Sequence, residues 1–219
     1  MVVPASGSSV DRRGEFDRQV DNLLDKNYPG TAGLSDEVFL QRIAPLRERL
    51  SEPSTGADDA RIAFVVVMAG ALVPPHEAIS LVELRGKRGF TTMEGDDLKR
   101  FTPIEGLAPP PGSAYLLTDI DTGAATRNVT PDEAITTIAS ENRSPLTIDE
   151  GVALVTQYPE VLRTRNAFSL LGSRCGDRRV PALWVSRGSP RLGWCWAGNP
   201  HTWLGSASCG GRVGGWFGG

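Results

Sequence analysis

No apolar run in the sequence is long enough to cross a bilayer. The longest, Ile62 to Val73, has 12 residues and is interrupted by Gly70, against the roughly 20 that a spanning helix needs. The first fourteen residues lack the apolar stretch of a secretory leader and carry Asp11, Arg12 and Arg13 instead. Residues 1–14 are therefore expected to form a flexible amino terminus, and the protein to be cytoplasmic with no membrane partner. Cysteine is scarce and odd in number, with 3 in 219 residues, which argues against a closed disulfide framework and fits a reducing compartment. Histidine occurs twice. Lysine is missing altogether from residues 160–219, where eight arginines face two acids for a balance of +6, leaving −9 on residues 1–159.

What is abundant is turn material, 25 Gly and 16 Pro, alongside an ordinary globular share of apolar residues. One core is expected, in an α+β domain over residues 15–209. Its amino-terminal part, residues 15–50, reads as a helical pair. Phe16, Val20, Leu23 and Leu24 fall on one helical face in Glu15 to Asn27, and Tyr28-Pro29-Gly30 stops that helix. Ser35 caps a second helix that buries Phe39, Ile43, Leu46 and Leu50, with a break or kink at Pro45. Acids on the exposed faces, Asp17, Asp21, Asp25, Glu37 and Glu48, exclude a DNA-binding helix pair. Residues 51–60 have the composition of a linker.

A mixed or antiparallel sheet follows. Ile62 to Met68 reads as a strand buried on both faces, Ala78 to Leu84 as a second, and Phe90 to Met93 as a short third after the basic turn Arg85 to Arg88. Ala114 to Ile120 and Ala124 to Val129 flank Asp121-Thr122-Gly123 as a hairpin. That turn lacks the oxygen spacing of a calcium loop. Thr130-Pro131-Asp132-Glu133 and Thr147-Ile148-Asp149-Glu150 are capping boxes, so two helices begin there. Ala182 to Arg187 and Arg191 to Ala197 make a carboxy-terminal β-hairpin through Gly188-Ser189-Pro190. Residues 210–219, six of them glycine, read as a flexible tail.

The rare residue types converge on the last fifth of the chain. All five tryptophans, all three cysteines and His201 lie between Cys175 and Trp216. In a strand over Arg191 to Ala197, Leu192, Trp194 and Trp196 share one face, while Gly193, Cys195 and Ala197 share the other. Zinc is disfavoured because Cys175, Cys195, His201 and Cys209 have none of the paired spacing of a zinc knuckle, so no metal and no cofactor is expected. A thiol-dependent enzyme would use Cys175, set among Arg174, Arg178 and Arg179, or Cys195, with His201 as the base of a pair with Cys195 or Cys209. The segment is not a cysteine-phosphatase loop, since Pro181 stands where the arginine belongs. The residues favour instead a binding site for an anionic or planar small molecule, or for a protein partner. Arg174, Arg178 and Arg179 would supply charge, Trp194, Trp196 and Trp203 the apolar wall, and Asn199 and His201 the orienting polar contacts. Nucleic acid is a poor partner for so acidic a chain. The competing explanation is that the arginines pair with the acidic remainder and the tryptophans fill a small core.

Four segments, Leu81 to Phe90, Leu117 to Gly123, Leu171 to Arg179 and Gly193 to Trp203, resemble an actinobacterial family of unknown function. The resemblance implies a bacterial cytosolic protein and assigns no activity to any residue.

Overall fold

The computed structural model describes residues 11–50, 61–163 and 166–215, so the expected linker at 51–60 lies outside the described residues. Asp11 opens helix α1 (Arg12–Asp25) by accepting the Gly14 N–H at 3.0 Å. After a single turn, α2 (Tyr28–Thr31), the Ser35 hydroxyl caps α3 (Asp36–Arg47) through Val38 N–H. Pro45 does not break α3. It removes only the bond to the carbonyl of Gln41, an exposed residue whose carbonyl water can satisfy. Both helices face inward. Phe16, Val20, Leu23, Phe39, Ile43 and Leu46 join one apolar core with Phe64 to Met68 of strand β1 (Ile62–Met68).

The next segment departs from the expected strand. Residues 78–81 belong to helix α4 (Pro75–Leu81), because Pro75 pre-sets the first helical turn and Ala78, Ile79 and Val82 bury one helical face. Only Glu83–Leu84 is extended, as β2, which pairs with β3 (Lys87–Arg88) across Arg85 and Gly86, both at positive φ (52° and 78°). This is the geometry of a two-residue hairpin turn. Strand β4 (Phe90–Thr91), helix α5 (Gly95–Lys99) and β5 (Thr102–Pro103) follow.

Strand β6 (Ala114–Asp121) forms as expected, but residues 124–129 are not its hairpin partner. The Asp121 carboxylate accepts the Gly123 N–H at 2.6 Å and turns the chain into a 3₁₀ segment, Ala124–Thr126. A Cβ on Gly123 (φ 80°) would lie 2.3 Å from the Ser206 backbone, so only glycine lets this turn pack there. The two capping boxes start α6 (Pro131–Ser140) and α7 (Ile148–Gln157), on either side of β7 (Ser144–Pro145). The rest is β8 (Ala167–Ser169), β9 (Ser173–Arg174), β10 (Arg179–Ser186), β11 (Ser189–Trp196), β12 (Leu204–Ser206) and β13 (Ser208–Gly214).

Two larger sheets result, β1-β6-β13-β7 and β12-β8-β10-β11-β4, in a single α+β domain with helices toward the amino terminus and strands toward the carboxy terminus. The expected tail begins inside β13, which lies between β6 and β7. Its glycines permit close approach: a Cβ on Gly210 would sit 2.7 Å from the Asp119 carboxylate. Along the outer edge of β1, the buried amide of Gln19 takes a strand's role, donating to Phe64 C=O at 3.1 Å and accepting Val66 N–H at 2.8 Å.

Candidate functional site

The β10–β11 hairpin organises the tryptophan-rich region. Its turn is Arg187-Gly188, both at positive φ, one residue ahead of the expected turn, and Ser186 pairs with Ser189. Counting from that pair puts Pro190 and Pro181 at positions that need no N–H toward the partner strand. Accordingly the Pro181 carbonyl turns to β8's side and accepts Leu170 N–H at 2.8 Å. The register sets Trp184 opposite Arg191, Pro181 opposite Trp194 and Arg179 opposite Trp196.

On one face, Trp194 and Trp196 meet edge to face with centroids 4.8 Å apart, and both remain exposed, at 37% and 46%. Arg179 lies beside Trp194 and Phe101, but its charge is already committed. It grips Asp97 through two bonds of 2.6 and 2.9 Å and holds Asp177 through Nε at 3.0 Å. The guanidinium holds both carboxyls below the usual range. On the opposite face, Arg191 stacks against Trp184 at 5.1 Å and Phe90 at 5.6 Å, and donates to Thr92 Oγ1 at 2.9 Å. No carboxylate pairs with it among the described residues. The Trp184 ring covers Gly193 so closely that a Cβ there would be 2.3 Å from it.

Strand β4 pairs with β11 only at Arg191 and Leu192. Beyond that point the edge of β11 is uncovered by any described strand, and alternation turns the Trp194 N–H and C=O outward. An open cleft of ≈ 650 Å³ lies between this edge and the start of α5, walled by Trp184, Arg191, Gly193 and Trp194 on one side and Met93 and Glu94 on the other. Its size suits a small ligand, and half of its lining is polar, with Thr92, Glu94, Asp97 and Arg191 beside the aromatic rings.

The other sequence-derived candidates lie apart from it. Arg178 lies against Gly198. Arg174 faces Asp132 at 3.8 Å. Asn199 is used through its backbone, donating to Trp196 C=O at 3.1 Å. His201 and Trp203 form a separate ring pair at 5.4 Å, in a loop fastened by the Asn128 N–H to His201 C=O. The cysteines do not gather with His201. Among the described residues, no three His, Cys, Asp or Glu side chains are placed to share a metal ion. Cys175 is buried and its thiol donates to Asp177 at 3.1 Å; burial and that bond raise its pKa. Burial pushes Cys195 and Cys209 up to about 11, and Cys209 sits in the other large sheet.

Of the residues singled out in the sequence, Trp194 lines this cleft, whereas Arg191, Trp184 and Met93, which also line it, were not among the candidates. The signal was in Pro181 and Pro190, whose missing donors fix the hairpin register and so the pairing of Trp184 with Arg191. No curated protein and no solved structure matches this chain. A family of unknown function, DUF5701, has a model that matches residues 22–215, from within α1 to the end of β13, and it is to this family that the chain belongs.

Proposed function

We propose that the protein is a ligand-binding protein that holds a flat anion in the cleft beside β11. The observation that supports this is Arg191, a guanidinium fixed between Trp184 and Phe90 that forms no ion pair among the described residues, at the wall of a ligand-sized opening that Glu94 and Asp97 also line. A planar ligand would stack on Trp184 or Trp194, present its anionic group to Arg191, and take a backbone bond from the outward N–H of Trp194. The ligand's charge would then fall to Arg191, while Arg179 is committed to Asp97 and Asp177. The three cysteines are free thiols, in keeping with a reducing, cytoplasmic setting. Thiol catalysis has little support, because a nucleophile needs a lowered pKa and all three are raised.

Salicylate, a small flat fluorescent anion, is a suitable probe. Quenching of tryptophan fluorescence, corrected for salicylate absorption, should report saturable binding. Arg191→Gln and Trp194→Ala should each weaken it roughly tenfold, the factor that accompanies loss of about 1.4 kcal/mol. Binding that is absent, or indifferent to both substitutions, would remove this cleft as the site.

A further inference from the structure

A second opening, of ≈ 500 Å³, lies at the end of the four-stranded sheet where β1 begins and β6 ends. Ile62, Ile120 and Val161 give it an apolar floor, while Arg127, Arg163 and Asn166 supply its polar groups. Arg127 is held in place by Asn166, whose Oδ1 accepts from the guanidinium. Asn166 is oriented in turn by donating its amide to Val161 C=O at 2.6 Å. Reciprocal backbone bonds of 2.9 and 3.1 Å lock Asn166 to Arg163.

Neither Arg127 nor Arg163 has a carboxylate among the described residues. Among the described residues, Arg163 uses its Nε alone, toward Glu160 C=O. The Nε of Arg127 is buried without an acceptor among the described residues, an unfavourable state for a polar group until one is supplied. The adjacent acid, Asp121, is engaged by the Gly123 N–H and by Arg61 at 3.8 Å. Two guanidinium groups are therefore presented to an opening whose nearby carboxylate is already compensated. An oriented arginine fork matches the paired oxygens of a carboxylate or phosphate.

We infer that this opening is a second binding site, for a small organic anion that places its carboxylate or phosphate between Arg127 and Arg163 and its apolar body on Ile62, Ile120 and Val161. It is separate from the tryptophan cleft in both its residues and the ligand shape it takes, since it offers no aromatic surface for stacking.

The test is a titration of the ¹⁵N-labelled protein with inorganic phosphate and, separately, butyrate at constant ionic strength, following backbone amides by NMR. Saturable shifts at Ala124, Arg127 and Asn166 are expected. Arg127→Gln and Arg163→Gln should each weaken binding roughly tenfold, and Arg85→Gln, which removes the same charge from the β2–β3 turn, should leave it unchanged. Response to phosphate alone identifies a phosphoryl ligand, and tighter binding of butyrate identifies a carboxylate with an apolar tail. The spectrum reports whether each variant is folded, and Arg163→Gln serves if Arg127→Gln is not. The inference is overturned if neither anion saturates, or if Arg85→Gln weakens binding as much as the two cleft variants.

Discussion

Asp149 is an acid whose pKa burial raises. It stands in the first turn of α7 beside a cavity of ≈ 10 Å³ lined by Leu23, Val66, Met68 and Val152. Burial pushes its pKa up to about 6, against the Gly70 N–H, which donates at 3.0 Å and favours the charged form. The folded value lies above the ordinary one of 3.8, so between the two the folded protein holds more protons than the unfolded chain. Stability is greatest below pH 4 with respect to this group and falls as pH rises through 6. The penalty at pH 7.5 is on the order of 2 to 3 kcal/mol. Asp149→Asn keeps an acceptor for Gly70 and removes the charge. It is expected to raise the melting temperature at pH 7.5 by several degrees and to change it little at pH 3.5; an equal shift at both pH values would mean that Asp149 does not titrate as described. The thiols follow the same physics. Each should react with a disulfide reagent at pH 7.5 more slowly than free cysteine, and a faster thiol would restore the catalytic alternative.

At the scale of elements, the chain shows where local patterns suffice. Capping boxes are self-contained in four residues, so Thr130 and Thr147 announced α6 and α7 directly. Residues 78–84 were harder because Ala78, Ile79, Leu81, Val82 and Leu84 fit either a helix or a buried strand, and the deciding feature, Pro75, lies upstream of the run. The hairpin of β10 and β11 was visible, but a turn placed one residue late changes every cross-strand partner and hides the pairing of Trp184 with Arg191. That pairing makes Gly193 a sensitive position. Gly193→Ala would drive a methyl group into the rigid Trp184 indole, and overpacking of this kind costs about 1–3 kcal/mol. Urea unfolding should show that loss together with weaker salicylate binding, because the displaced ring is a wall of the cleft. Retention of both stability and affinity would show that Trp184 is not packed as described.

For the whole molecule, the charge imbalance between the two parts of the chain acts first as an assembly device. Arg174, Arg179 and Arg212, from the basic last part, face Asp132, Asp97 and Glu150, from the acidic remainder. The competing explanation offered for the arginines therefore holds for these three, while Arg163 and Arg191, without carboxylates among the described residues, line the two openings. Glycine content hid the most consequential of these contacts. A segment with Gly210, Gly211 and Gly214 has the composition of a tail, yet β13 is paired on both sides and delivers Arg212 to a fully buried Glu150. There Arg212 Nη2 donates to the carboxylate at 2.8 Å, Tyr115 OH donates at 3.0 Å, and Thr147 N–H completes the capping box at 2.7 Å. Nothing within residues 208–214 reveals this partner, which lies about sixty positions earlier and becomes adjacent only when the sheet forms. Removing one member of a buried pair leaves the other charged and uncompensated, at a cost of about 3–5 kcal/mol. Arg212→Met should therefore destabilise the entire domain in urea by that amount. Adding Glu150→Gln should recover much of the loss, since glutamine keeps the cap on α7 without a buried charge. If Arg212→Met costs under about 1 kcal/mol, or the double variant is no more stable than the single one, β13 is not the fastening strand that its place in the sheet indicates.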